Sequence, residues 1–171
     1  MTKKYELTQN SVTVNNRTLY QIRALKDFGS VKKGDLGGYI ETENNLSHGG
    51  TCWVSENAYV FEDALVYGDA RVYGHAHVSG NAHVYGDAWV YRNAHVYEDA
   101  QVYEDADVSG DADVSGKARV YGHARVYVPI DFDCDFDPHE SLKEILDHKE
   151  ILPVLLGINS GLDKMISERL K

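Results

Sequence analysis

The chain has 171 residues, enough for one folded unit with small accessories at its ends, and carries 27 acidic against 17 basic residues, a formal charge of −10. That balance argues against direct binding of nucleic acid or of an anionic membrane and favours basic proteins or cations as partners. No apolar run is long enough to span a bilayer, and the opening Met1-Thr2-Lys3-Lys4-Tyr5-Glu6 predicts no secretory leader.

Three segments are expected: a leader over residues 1–50, a repeat over 51–128 and a tail over 129–171. In the leader, residues 5 to 25 read as a β-hairpin. Val12-Thr13-Val14 and Thr18-Leu19-Tyr20-Gln21-Ile22 flank Asn15-Asn16, a pair suited to a turn with positive φ. Gly34-Asp35-Leu36-Gly37-Gly38-Tyr39-Ile40 follows, and Cys52-Trp53-Val54 enters the repeat, with Cys52 in the small inward slot that alanine holds later. Cys52 and Cys134 form no metal-spaced pair and read as reduced thiols of a cytoplasmic protein.

From Val54 to Val126 valine recurs every six residues without a break, and alanine follows four residues after each of the first twelve valines. Six is not a helical period, because helical burial needs apolar positions three and four apart. It suits a strand: Ala and the next Val, two apart, share a face, while the Gly and Asp or Asn between repeats suit a tight bend. Each unit is a short strand and a corner. Successive coils must stack through parallel backbone pairing to bury their apolar side.

After Val128-Pro129 the period stops. Asp131-Phe132-Asp133-Cys134-Asp135-Phe136-Asp137-Pro138 alternates acidic and apolar residues as an edge strand or linker does. Two helices are expected beyond it, one with Leu142, Ile145 and Leu146 on a face. The other places Leu162, Met165, Ile166 and Leu170 together, with Asn159 or Ser160 as N-cap. They would form a lid over the last coil or an element pairing two copies of the chain.

The valine series resembles the hexapeptide-repeat family, from Trp53 to Tyr127. That resemblance implies a mostly β fold, a left-handed parallel β-helix with three hexads per coil and about four to five coils. The leader and tail would cap its ends. Residues 18 apart would then stack about 4.8 Å apart. The leader is similar to one attached to hexapeptide repeats in bacterial and phage-encoded proteins.

Charge is unevenly placed: net +2 over 1–53, −7 over 54–128, −5 over 129–140 and zero over 141–171. Glu98, Asp99, Glu104, Asp105, Asp107, Asp111 and Asp113 fall within sixteen residues that contain no base. Less than one coil long, that stretch predicts a girdle at one height. Asp69, Asp87 and Asp105 should form a corner column, with Tyr67, Tyr85, Tyr103 and Tyr121 stacked on the same side. Turn chemistry accounts for Asp69 and Asp87 but is expected to account poorly for Glu98, Glu104, Asp107 and Asp113.

A rigid carboxylate array with interleaved tyrosines imitates the charge of a phosphate backbone, and arginines accept carboxylates in its place. In fold, size and charge the chain resembles the β-helical anti-CRISPR proteins that inhibit type II effectors. That resemblance implies a noncatalytic phage or mobile-element protein acting in the bacterial cytoplasm. Its partner would be Cas9 with guide RNA, held at the arginines that read the short motif beside the target. Contacts are expected from the seven carboxylates with Tyr85, Tyr97 and Tyr103, with no cofactor.

Other readings differ in what they require. An acyltransferase of this family would need a loop leaving the coils, and the valines run without insertion. A metalloenzyme resembling the β-helical carbonic anhydrases would draw on His75, His77, His83 and His95, where His77, His95 and Asp113 should share a column. A structural protein would polymerise end to end.

Overall fold

The computed structural model describes residues 3–127. The expected tail strand and helices, and the homodimer contact assigned to them, lie outside the described residues. Strands β1 (Tyr5–Val14) and β2 (Arg17–Ala24) form the expected hairpin, closed by Asn15 and Asn16 at φ 48° and 63°.

The rest is a stack of coils with three sides. The first side carries β3 (Leu36–Ile40), β5 (Tyr59–Val60), β8 (His77–Val78), β11 (His95–Val96) and β14 (Asp113–Val114). The second carries β6 (Leu65–Val66), β9 (His83–Val84), β12 (Gln101–Val102) and β15 (Arg119–Val120), with Leu46 bridging Val66 above. The third carries β4 (Trp53–Val54), β7 (Arg71–Val72), β10 (Trp89–Val90), β13 (Asp107–Val108) and β16 (Arg125–Val126). All pairings between coils are parallel and mostly 18 residues apart, as at His77 with His95 and Trp89 with Asp107.

The strands are two residues long because one residue points in and one out. The inward valines and alanines from Val54 to Val126 are almost all fully buried. Each valine stacks on its own kind in a thin continuous core, and each buried valine contributes about 1.5–3 kcal/mol. At the corners the second residue after each valine-ended strand turns left-handed. Glycine supplies this at Gly68 or Gly86, but Glu56, Glu62, Arg92, Glu98 and Glu104 adopt the same conformation at φ 58–63°.

The leader is continuous with the stack. Strand β3 pairs in parallel with β5, placing Ile40 above Val60, and β2 pairs antiparallel with β3. The first coil therefore starts at Leu36, ahead of the boundary that the valine series suggests at 51. Ile40 and Leu46 each lie 20 positions before their partners Val60 and Val66. The surplus is taken up around Ser47–Thr51, which hides the register in the sequence.

The upper end of the core is closed by polar side chains. Lys4 is fully buried, and its Nζ donates to the Cys52 carbonyl at 2.8 Å and lies 3.1 Å from Cys52 Sγ. The Tyr5 hydroxyl, also buried, donates to the Leu46 carbonyl at 2.7 Å. Burial pushes the Tyr5 phenol and the Cys52 thiol up and the Lys4 amine down.

These shifts set an alkaline limit. Above pH 9.0 for the thiol and 10.0 for the phenol, the unfolded chain releases protons that the folded chain keeps. Stability then falls by about 1.4 kcal/mol per pH unit for each group. Lys4 acts oppositely up to 10.5, where the unfolded chain holds the extra proton. Urea midpoints should therefore fall above pH 10.0, where the unfolded chain alone releases the Tyr5 proton. Tyr5→Phe should remove part of that fall, and an unchanged slope in this variant would refute the assignment.

Candidate functional site

The seven carboxylates lie around the stack. Glu98 and Asp99, with Tyr97, occupy the corner after β11, between the first and second sides. Glu104 and Asp105, with Tyr103, occupy the corner after β12, between the second and third sides, with Tyr85 one coil above. Asp107 points outward from the third side, Asp111 sits at the corner after β13, and Asp113 points outward from the first side. The girdle is a belt around the whole rod. Glu104, Asp105, Asp107, Tyr85 and Tyr103 share one flank, while Glu98, Asp99, Tyr97, Asp111 and Asp113 lie on others.

Several of these groups have work inside the fold. Glu98 Oε2 accepts the Gly116 amide at 2.7 Å, and Glu104 Oε2 accepts the Gly122 amide at 2.8 Å. Glu56 holds Gly74 and Glu62 holds Gly80 in the same way. The expectation that turns do not call for Glu98 and Glu104 is therefore corrected. A left-handed corner glutamate reaches one coil onward and satisfies the amide of a corner glycine. The signal was present in the sequence as glutamate followed 18 positions later by glycine, four times over.

The shorter acids pair sideways along the columns. Asp99 accepts from Asn81 Nδ2 at 2.9 Å, and Asp111 from Asn93 Nδ2 at 2.8 Å. Asp113 lies 3.5 Å from His95 Nδ1, and Asp105 lies 3.4 Å from His123 Nδ1. Asp69 accepts both the amide and the hydroxyl of Thr51, which hold its carboxyl below the usual range. Asp107 differs: the Tyr91 hydroxyl approaches Oδ2 at 3.4 Å, but buried Oδ1 has no hydrogen-bond partner among the described residues.

The tyrosine column forms as expected. Tyr67, Tyr85, Tyr103 and Tyr121 stack with centroids 4.8, 5.0 and 5.3 Å apart and nearly parallel rings. Tyr73 and Tyr91 form a second stack at 4.8 Å. Beside the first stack runs the Asp69–Asp87–Asp105 column, and next to that an open groove of about 540 Å³ along the third side. Its wall includes Trp89, which sequence reasoning passed over and which is 46% exposed. The signal was available, since Trp89 occupies an outward position of the hexad.

His77 and His95 stack at 4.9 Å with Asp113 next in the column. Burial, with help from His95 and His75, pushes the His77 imidazole down. His75 lies at a corner and His83 on another side. Among the described residues no three His, Cys, Asp or Glu side chains are grouped so as to hold a metal ion.

A family model described as YdcK Beta solenoid repeat matches three overlapping windows, residues 64–80, 70–86 and 76–92. The windows advance by six residues, the period that places one valine on each side of the stack in turn. The described chain is a β-solenoid. The matched part of this solenoid includes Tyr67, Asp69, Tyr85, Asp87 and Trp89, the upper half of the flank with the groove. Among curated proteins, none matches the sequence.

Proposed function

We propose that this β-solenoid is a noncatalytic inhibitor whose carboxylate-bearing flank occupies an arginine-rich nucleic-acid site. Its partner is Cas9 with guide RNA, as the resemblance to β-helical anti-CRISPR proteins implies, and a phage or other mobile element is its source. One observation carries this reading. Asp87 and Asp105 stand exposed on successive coils, beside Asp107 and the Tyr85–Tyr103 stack, on a backbone paired rung by rung.

Three physical features support it. Stacked coils fix carboxylates about 4.8 Å apart, so little ordering cost falls on the mimic at binding. Arginines that grip phosphate or guanine edges accept carboxylates bidentately. Tyrosine supplies amphipathic contact area suited to the centre of an interface.

The reading is tested by competition on purified, guide-loaded Cas9. The chain should displace a duplex carrying the short recognition motif, and its affinity should fall steeply as salt rises from about 0.05 to 0.5 M. Binding that leaves duplex occupancy unchanged would refute occupation of that site. Absence of binding would refute the partner.

A further inference from the structure

We propose that the groove around Trp89 is a seat for a guanidinium group, so that the third side, rather than the whole carboxylate belt, takes the key arginine of a partner. This deepens the reading above and rests on it for the biological partner, but the seat itself follows from local geometry. The Trp89 indole, 46% exposed in mid-side, offers aromatic surface to the groove. Its ring is braced edge-on by Tyr73 at 6.2 Å and sits one rung above Asp107. A planar cation laid on that ring would meet Asp87 and Asp105 along the adjoining corner column and Asp107 below.

Charge selects the occupant. Asp69, Asp87, Asp105 and Asp107 face the groove against Arg71 and Arg125 at its ends. Arg71 is turned toward the leader, donating to Ser30 Oγ at 3.2 Å. The Asp107 carboxylate is held only lightly, by the Tyr91 hydroxyl at 3.4 Å from Oδ2, and its buried Oδ1 receives no hydrogen bond from any described residue. A guanidinium fits better than an ammonium, because it is planar, stacks on an aromatic face and donates as a fork. The fold already shows the contact in miniature, with the Arg92 guanidinium 5.9 Å from the Tyr91 ring centroid.

The test uses the full chain and two synthetic peptides, (Gly-Arg)4 and (Gly-Lys)4, titrated by calorimetry at low salt. The arginine peptide should bind at least about fivefold more tightly than the lysine peptide. Trp89→Ala should weaken it about tenfold, with Trp89→Phe in between. Asp107→Asn should weaken it severalfold, while Glu98→Gln with Asp99→Asn, on another corner, should change it less than about twofold. Thermal melts of each variant verify the fold. Unchanged affinity in Trp89→Ala, or an equal loss in the Glu98 and Asp99 variant, would overturn the seat. Binding through Trp89 by a chain that leaves Cas9 untouched would keep the seat and discard the inhibitor reading. Cas9 inhibition unaltered by Trp89→Ala would do the reverse.

Discussion

Reversing Asp105 and Asp107 to lysine is expected to weaken binding to guide-loaded Cas9 about a hundredfold or more. Both side chains lie on the flank that carries Asp87, Tyr85, Tyr103 and the groove. Close interfacial charge pairs show coupling of about 1.5–7 kcal/mol, so two replaced by repulsion suffice for that loss. Neither residue holds a backbone amide of the next coil, and melting temperature should barely move. Adding Glu104→Lys should lower stability as well, because the Gly122 amide loses a charge-assisted partner worth about 1.5–3 kcal/mol. Reversing Asp111 and Asp113, on other sides, should alter affinity only a fewfold. Biolayer interferometry with parallel thermal melts separates the cases. Retention of affinity by the Asp105 and Asp107 pair would show that this flank is not the contact.

Val84→Asp is expected to cost about 4 kcal/mol or more and to divide the rod. Val84 is fully buried in the middle of the second side, between Val66 and Val102. An unpaired carboxylate there has no cation to meet it. Coils pair only with the coils immediately above and below, so stability is close to a sum of nearest-neighbour terms. Hydrogen exchange should show protection lost from about Tyr85 onward while the hairpin and first coils keep theirs. Val120→Asp, in the last described coil, should release only its own surroundings. Equal, global loss in both variants would mean that the rod unfolds as one cooperative unit.

The valine and alanine series made the interior legible, because a period of six admits few packings and the inward positions are nearly uniform. The hairpin was legible at Asn15-Asn16 for a similar reason, since few turns accept two left-handed residues. What escaped were features written across coils. Ile40 and Leu46 belong to the first coil, but two additional residues around Ser47–Thr51 disguise their register. The roles of Glu98 and Glu104 lie in glycines 18 positions away, so the acids looked surplus when read along the chain. Trp89 was not legible as part of a site, because one outward residue looks like any other until its neighbours on adjacent coils are known. The belt itself was foreseen at the right height, but its spread around three sides follows from which corner each acid occupies.

The reach of each corner glutamate onto the glycine of the following coil has a consequence for where the rod can part. Glu56 and Glu62 clamp their coil to the one carrying Gly74 and Gly80, and Glu98 and Glu104 clamp theirs to the one carrying Gly116 and Gly122. Between those two linked pairs no glutamate spans the seam among the described residues. Under load the rod should therefore open first between Gly80 and Glu98.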